Sequence, residues 1–376
     1  MSKIIKNKIL PEKAITFDDV LLLPGYSDFK RREVDLSVKL HKNIVLKLPV
    51  ISAPMDTVTE EKMAEVLAQN GALGIIHRNL SAKEQAEMVK NIKKTKVIDV
   101  SRAATDSKGR LLVGVAVGAN SDLDKNIEML EKSGADLIVL DSANGFNCYV
   151  LEALKKIKSL TKIPVMAGNV ATYEGAKALI ENGAEMLRVG MGPGSICTTR
   201  IVTGMGVPQI TAISEAVRAA EGKDTVIIAD GGIKQIGDMA KALGFGAKAV
   251  MLGSLLAGFE ESPGDVIMAN GIKFKQYRGM GSIPAMKKGS AERYDQSNKR
   301  KLVAEGVEAI VKYKGHVEEF LYQIDGGLRA SFYDIGGKNL EEFYKKARFI
   351  EISNSGLKES HPHDITITDS GGSYFA

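Results

Sequence analysis

The sequence predicts an α/β chain folded as one (β/α)8 TIM barrel over residues 1–376, and three observations predict it. Eight short apolar runs follow one another, amphipathic segments separate most of them, and a Gly-Ala pair closes four of those segments just before the next run. At about 150 residues per domain the length allows two or three domains, yet one eightfold barrel can occupy most of such a chain. An open doubly wound sheet is the second architecture that the same alternation allows.

The runs are Pro49–Ala53, Leu73–His77, Leu112–Val117, Leu137–Leu140, Pro164–Ala167, Met186–Val189, Val226–Ala229 and Ala249–Leu252. Their starts lie 24, 39, 25, 27, 22, 40 and 23 residues apart, room for a strand, a helix and two loops per step. Continuous apolar runs such as Leu-Ile-Val-Leu suit parallel strands covered on both faces. Glu60–Gln69, Leu123–Lys132, Tyr173–Glu181, Ala212–Ala220 and Gln235–Leu243 have amphipathic spacing. Gly71, Gly134, Gly183 and Gly246, each followed by alanine, read as left-handed helix C-caps. Ser81 with Glu84 reads as a capping box that opens another helix. Of the two long steps, the first ends in a polar stretch, 101–110, that resembles a trimmed connection, and the second holds a glycine-rich loop. Residues 263–316 lose periodicity, which predicts a long lid or a disordered segment. A short helix over Leu340–Lys346 and a polar tail over 352–376 complete the chain.

Composition narrows the function. Lys and Arg number 51 against 46 Asp and Glu, and this small positive excess is spread along the chain, which excludes a nucleic-acid footprint. Cys148 and Cys197 are too few for a disulfide framework. Neither a signal-peptide core nor a membrane-length apolar stretch appears, so a soluble cytoplasmic protein is expected.

Catalytic groups of such barrels collect at the C-terminal ends of the strands. Those ends read Ala53-Pro-Met-Asp56, His77-Arg-Asn79, Asp141-Ser-Ala-Asn-Gly145, Gly168-Asn169, Gly190 to Cys197, Asp230-Gly-Gly232 and Gly253-Ser254. Gly231-Gly232 and Gly253-Ser254 follow the last two strands, where barrels build phosphate sites from backbone N–H groups and hydroxyls. Turn glycines alone would account for either pair, and the fall of both on the last two strands favours the phosphate reading. The loop Gly190-Met-Gly-Pro-Gly-Ser-Ile-Cys-Thr-Thr-Arg200 sets a thiol among hydroxyls beside an arginine that could favour the thiolate. Cys197 is therefore the candidate nucleophile, and Cys148 is expected to be a small buried apolar residue. No His/Cys/carboxylate group has zinc spacing, and His361 and His363 read as surface histidines.

The cysteine loop also carries a resemblance. Together with Thr16-Phe-Asp-Asp-Val-Leu-Leu22, Met55-Asp-Thr-Val-Thr-Glu60, Gly204-Met-Gly-Val-Pro-Gln209, Ala229-Asp-Gly-Gly-Ile233, Tyr277-Arg-Gly-Met-Gly-Ser282 and Glu359-Ser-His-Pro-His-Asp364, it resembles the IMP dehydrogenase family across essentially the whole chain. The resemblance implies NAD-dependent oxidation of IMP to XMP, a step toward guanine nucleotides, with Cys197 forming a thioimidate at purine C2. It implies ribose binding by Asp230 and phosphate binding by Ser195, Gly232, Gly253, Ser254 and Tyr277. Met55, Gly279, Met280, Gly281 and Glu305 are implied to line the rest of the nucleotide site. Asp141, Asn169 and Gly190 fall where the family contacts NAD. Gly192, Gly194 and Cys197 are implied to hold K+ through backbone oxygens, joined by Glu359, Ser360 and His361 of a neighbouring subunit in a homotetramer.

Residues 270–316 resemble the family's mobile flap, in which Arg293 and Tyr294 would activate the hydrolytic water, with Thr199 beside it. GMP reductase shares the barrel and the cysteine loop but lacks the Arg-Tyr pair, and it is the alternative enzyme. A non-catalytic nucleotide-binding barrel would not need Cys197, Arg293 and Tyr294 together, and a barrel isomerase would show a carboxylate or lysine base instead. Only Val97–Arg110 stands where many relatives insert a pair of CBS modules. Ala53 replaces a serine of some relatives, and Asp141-Ser-Ala-Asn-Gly145 departs from the commoner Asp-Ser-Ser spelling.

Overall fold

A computed structural model describes residues 8–9, 13–119, 122–294, 296, 301–369 and 371. The eight apolar runs form parallel strands: β1 (Val50–Ser52), β2 (Gly74–Ile76), β3 (Val113–Val117), β4 (Leu137–Asp141), β5 (Val165–Val170), β6 (Met186–Val189), β7 (Val226–Asp230) and β8 (Ala249–Leu252). Each pairs with the next in sequence from β2 to β8, and β8 returns to pair with β1. A bridge between Ile51 and Leu73 closes β1 on β2, which settles the fold as a barrel rather than an open sheet. Nearly every strand residue is buried, since helices cover the outside and side chains fill the inside.

Helices α1 (Glu61–Gln69), α2 (Ala82–Lys94), α3 (Leu123–Ser133), α4 (Cys148–Leu160), α5 (Tyr173–Glu181), α6 (Gln209–Ala219) and α7 (Ile236–Gly244) follow β1 to β7 in turn. The Ser81 and Glu84 capping box is present, and Gly71, Gly134, Gly183 and Gly246 all have φ between 81° and 104°, the left-handed conformation predicted for them. Cys148 departs from expectation. It opens α4 and is exposed, because the first turn of this helix faces solvent where it leaves the loop after β4.

Residues 263–316 are not structureless. Strands Val266–Ala269, Ile272–Arg278 and Glu308–Lys312 form an antiparallel sheet, and a short helix, Ile283–Lys287, and a 3-10 turn, Ser290–Tyr294, lie between the last two. Their alternation is obscured in sequence because this sheet exposes apolar residues such as Val266, Met268 and Ile272. The eighth helix, α8 (Val317–Ile335), comes only after this excursion. Its polar face hides an apolar stripe of Val317, Phe320, Leu321, Ile324, Leu328, Phe332 and Ile335 that packs on the barrel. Helix Leu340–Lys346 then docks through Phe343, whose ring stacks on Phe332 at 4.1 Å between centroids. Strand Phe349–Glu351 pairs antiparallel with Val20–Leu22 and ties the two ends of the chain together.

The bridge over 97–110 is a compact turn. Asp106 accepts the backbone N–H groups of Lys108 and Arg110 and the Arg110 side chain. Buried Lys93 donates to Asp106 at 3.2 Å, to Asp136 at 2.6 Å and to the Leu111 carbonyl at 2.7 Å, joining α2, the bridge and the start of β4. Among the described residues no helix is long and apolar enough to cross a membrane.

Candidate active site

The cysteine loop leaves β6 at Gly190, whose φ is +145°. A Cβ there would lie 2.1 Å from the Asp230 carbonyl, so only glycine lets the loop turn across β7. Arg200 then staples the loop, donating to the carbonyls of Met191 and Val207 at 3.2 and 2.6 Å. That engagement replaces the role expected for Arg200 as a partner of the thiol. The thiol of Cys197 instead meets the Thr199 hydroxyl at 3.3 Å, and that hydroxyl donates to Glu305 at 2.9 Å. The return segment of the excursion holds the loop from outside: Thr198 N–H donates to the Glu305 carbonyl and Val307 N–H to that of Ile196. Glu305 and Val307 bond in turn to Gly281 and Gly279.

The predicted phosphate groups converge. Tyr277 is buried, and its hydroxyl is hydrogen-bonded to Ser195 of the cysteine loop and Ser254 at the end of β8. Burial raises this phenol above its ordinary pKa, so it stays a neutral donor. Gly231 and Gly232 (φ 90° and 78°) turn against Pro193, and the Met55 sulfur lies beside Gly253.

Asp230, at the end of β7, accepts from Asn169 at 2.7 Å and from Arg188 at 2.8 Å. The other terminal nitrogen of Arg188 holds Asp141 at 2.5 Å. Arg78 and Arg293 also face Asp141, Arg293 through a direct ion pair. Burial opposes the charge on Asp141, but Arg293, Arg188 and Arg78 outweigh it and hold the carboxyl well below the usual carboxylate range. Burial would likewise lower Arg293, and the Asp141 charge reverses that and keeps the guanidinium firmly protonated. Tyr294 packs against Gly281, and burial pushes its phenol up although Arg293 pulls the other way.

Two adjoining cavities result, of about 240 and 350 Å³. The first is lined by Cys197, Thr199, Met55, Ser195, Asp230, Gly232, Gly253, Ser254, Tyr277, Gly279, Met280, Gly281, Asn169, Gly190, Gly192 and Gly194. The second is lined by Asp141, Asn144, Asn147, Tyr149 and Arg78. Thr199, Arg293, Tyr294, Glu305 and Ala143 border both, so the Arg-Tyr turn forms part of the partition between them. Glu359, Ser360 and His361 lie outside both cavities, exposed at the end of helix Asn354–Glu359. Sequence reasoning assigned no role to Arg188 or Arg78. An arginine inside the buried apolar run of β6 was the available signal for the first.

A parallel barrel with a thiol, a hydroxyl-and-glycine pocket and a basic turn closing over both is the frame of a barrel enzyme acting on a phosphorylated small molecule. The chain belongs to the IMP dehydrogenase / GMP reductase family, whose domain model matches residues 14–363. It is 46% identical to an inosine-5'-monophosphate dehydrogenase of Cryptosporidium parvum, covering 94% of this chain and 96% of that protein. It is 38% identical to the enzymes of that name from Bacillus subtilis (96% and 98%) and Halalkalibacterium halodurans (98% and 99%). The Bacillus alignment runs over 478 positions, 102 more than this chain has residues, which fits a family form without the CBS insert.

Asp141→Asn leaves three buried guanidiniums facing one another and is expected to cost about 3–5 kcal/mol in urea unfolding at neutral pH. Because the folded pKa of Asp141 is depressed, its contribution is present above the ordinary value of 3.8 and is lost only as pH falls through the lower folded value. Wild type and variant therefore converge only in strong acid. A variant within about 1 kcal/mol of wild type at pH 7 would contradict this account.

Proposed function

We propose that this chain oxidises IMP to XMP with NAD, acting through a covalent adduct on Cys197. The observation that carries the reading is the placement of Arg293 and Tyr294 on the border of the Cys197 cavity, next to the Thr199–Glu305 pair. The same placement favours dehydrogenase over reductase, since the reductase lacks the Arg-Tyr pair. The free cysteines fit a reducing cytoplasm, and the whole chain serves as one catalytic unit.

In this reading the hydroxyls of Ser195, Ser254 and Tyr277 and the N–H groups near Gly232 and Gly253 hold the phosphate, and Asp230 holds the ribose. Cys197 as thiolate adds to purine C2, and the hydride leaves that carbon. NAD, when bound, accepts the hydride, and the second cavity with the Asp141 carboxylate, next to the Asn169 amide on the wall of the first, suits a polar nicotinamide ribose. The resulting thioimidate on Cys197 is attacked at C2 by water, and the thiolate leaves as XMP forms. Arg293 is a poor proton acceptor while Asp141 holds it charged, so it orients the water and supports the developing negative charge. The water proton passes to Thr199, whose own proton goes to Glu305 along the 2.9 Å hydrogen bond. Because Arg293 and Asp141 pair where the cofactor side lies, the flap stands aside for hydride transfer and returns for hydrolysis.

The carbonyls of Gly192, Gly194 and Cys197, with Glu359, Ser360 and His361 of a neighbouring subunit, would supply an oxygen-rich set suited to K+. The ion would stiffen the loop that aims Cys197. The proposal requires a homotetramer whose turnover K+ stimulates, with most of the stimulation lost on deletion of 353–376. Sedimentation and rates in K+ and Na+ test it, and a monomer indifferent to the cation refutes it.

Cys197→Ala should abolish NADH formation from IMP while IMP affinity stays within about tenfold, because the phosphate and ribose contacts come from other loops. Measurable turnover by that variant would overturn the assignment. Arg293→Ala should still release a burst of NADH, followed by slow turnover, while the adduct accumulates on Cys197 as added mass on the intact protein. Loss of the burst together with turnover would instead assign Arg293 to binding or hydride transfer. NADPH oxidation with GMP, and no NADH with IMP, would move the chain to the reductase.

A further inference from the structure

Arg78 leaves the C-terminal end of β2 with its side chain 7% exposed, and the mechanism above gives it no task. Its Nε lies 3.6 Å from Asp141 Oδ2, and its Nη1 lies 3.6 Å from Glu292 Oε2 on the 3-10 turn of the flap. Both charged groups lie across Gly118, just after β3. A Cβ on Gly118 would meet Arg78 Nη1 at 1.8 Å and Glu292 Oε1 at 2.9 Å, so the absent side chain is what admits them. The barrel thus offers a fixed pair, Arg78 positive and Asp141 negative, while the flap brings the adjacent residues Glu292 negative and Arg293 positive.

We propose that Arg78 is a positioning residue for the hydrolytic half of the reaction: through Glu292 it latches the flap in the register that brings Arg293 onto Asp141 and Tyr294 toward Cys197. A slip of one residue would set like charges against each other in a site with little water to screen them. Closing or opening the flap moves one positive and one negative group together, so the net charge of the buried cluster is unchanged in either state. At 3.6 Å the contact of Arg78 Nη1 with Glu292 Oε2 is an ion pair held mainly by charge, as a latch that must release in every cycle requires. The inference rests on the proposed function for its kinetic half only.

The test compares Arg78→Gln, Glu292→Gln, the double variant and Arg78→Lys in the full chain. With IMP bound and no NAD, amide hydrogen exchange over 283–294 should quicken about tenfold in each Gln variant. With NAD added, the ratio of steady turnover to burst rate should fall about tenfold in each. The double variant should be no worse than either single, because the two changes break one interaction. Arg78→Lys, which keeps the charge, should recover to within about threefold of wild type. Unchanged exchange over 283–294, or a double variant that multiplies the single effects toward a hundredfold, overturns the latch. If wild type makes no NADH from IMP and NAD, the proposed function fails, while the exchange measurement still decides on the latch.

Discussion

One buried carboxylate organises the catalytic end of this barrel. Asp141 ends β4 fully out of water, and an isolated charge there would be untenable. Three guanidiniums make it tenable, and each comes from a different place: Arg78 from the end of β2, Arg188 from within β6, and Arg293 from the excursion after β8. Arg188 carries the constraint further, since the same guanidinium that satisfies Asp141 also orients Asp230, the residue expected to take the ribose. The loops that carry Asp230 and Arg293 are therefore set against one common charge.

The thiol depends on a second constraint of a different kind. The cysteine loop is long and rich in glycine, so its own backbone does little to hold Cys197 still. Hydrogen bonds from the segments around Gly279, Gly281, Glu305 and Val307 supply that rigidity from a distant part of the chain. The excursion after β8 is thus both the wall behind Cys197 and the base from which the Arg-Tyr turn reaches the site.

The barrel was legible because each parallel strand is buried on both faces, so its run is apolar without interruption, and because Gly71, Gly134, Gly183 and Gly246 punctuate the helices with a conformation that glycine favours. The sheet over 266–312 was not legible, since apolar residues on its exposed face blur the alternation that marks a strand. Helix α8 escaped because Glu318, Glu319 and Asp325 dilute a stripe that only packing reveals. Most of the residues singled out at strand ends and in recognisable motifs line the two cavities, while Glu359, Ser360 and His361 lie outside them. Arg188 and Arg78 were not readable, because their importance lies in what they face. Neither the crossing of β6 toward β4 and β7 nor the lean of Arg78 over Gly118 is written in local sequence. Cys148 and Arg200 were misjudged for the same reason: residue type suggested a role, and the neighbours assigned another.

The Lys93 cluster has a consequence for how such an enzyme could be governed. The turn it holds, over 97–110, precedes β3 and so lies at the end of the barrel opposite the thiol. A strand of five residues spans about 17 Å, so anything attached at that turn stands a full barrel length from the reacting atoms. A module grafted there would join the chain at the end of the barrel away from nucleotide and flap. Its influence would have to pass as strain along α2 and β3, or through the way neighbouring copies of the chain assemble. The short turn closes this end of the barrel instead, with the Lys93 ammonium tying helix α2, the turn and the start of β4 into one unit.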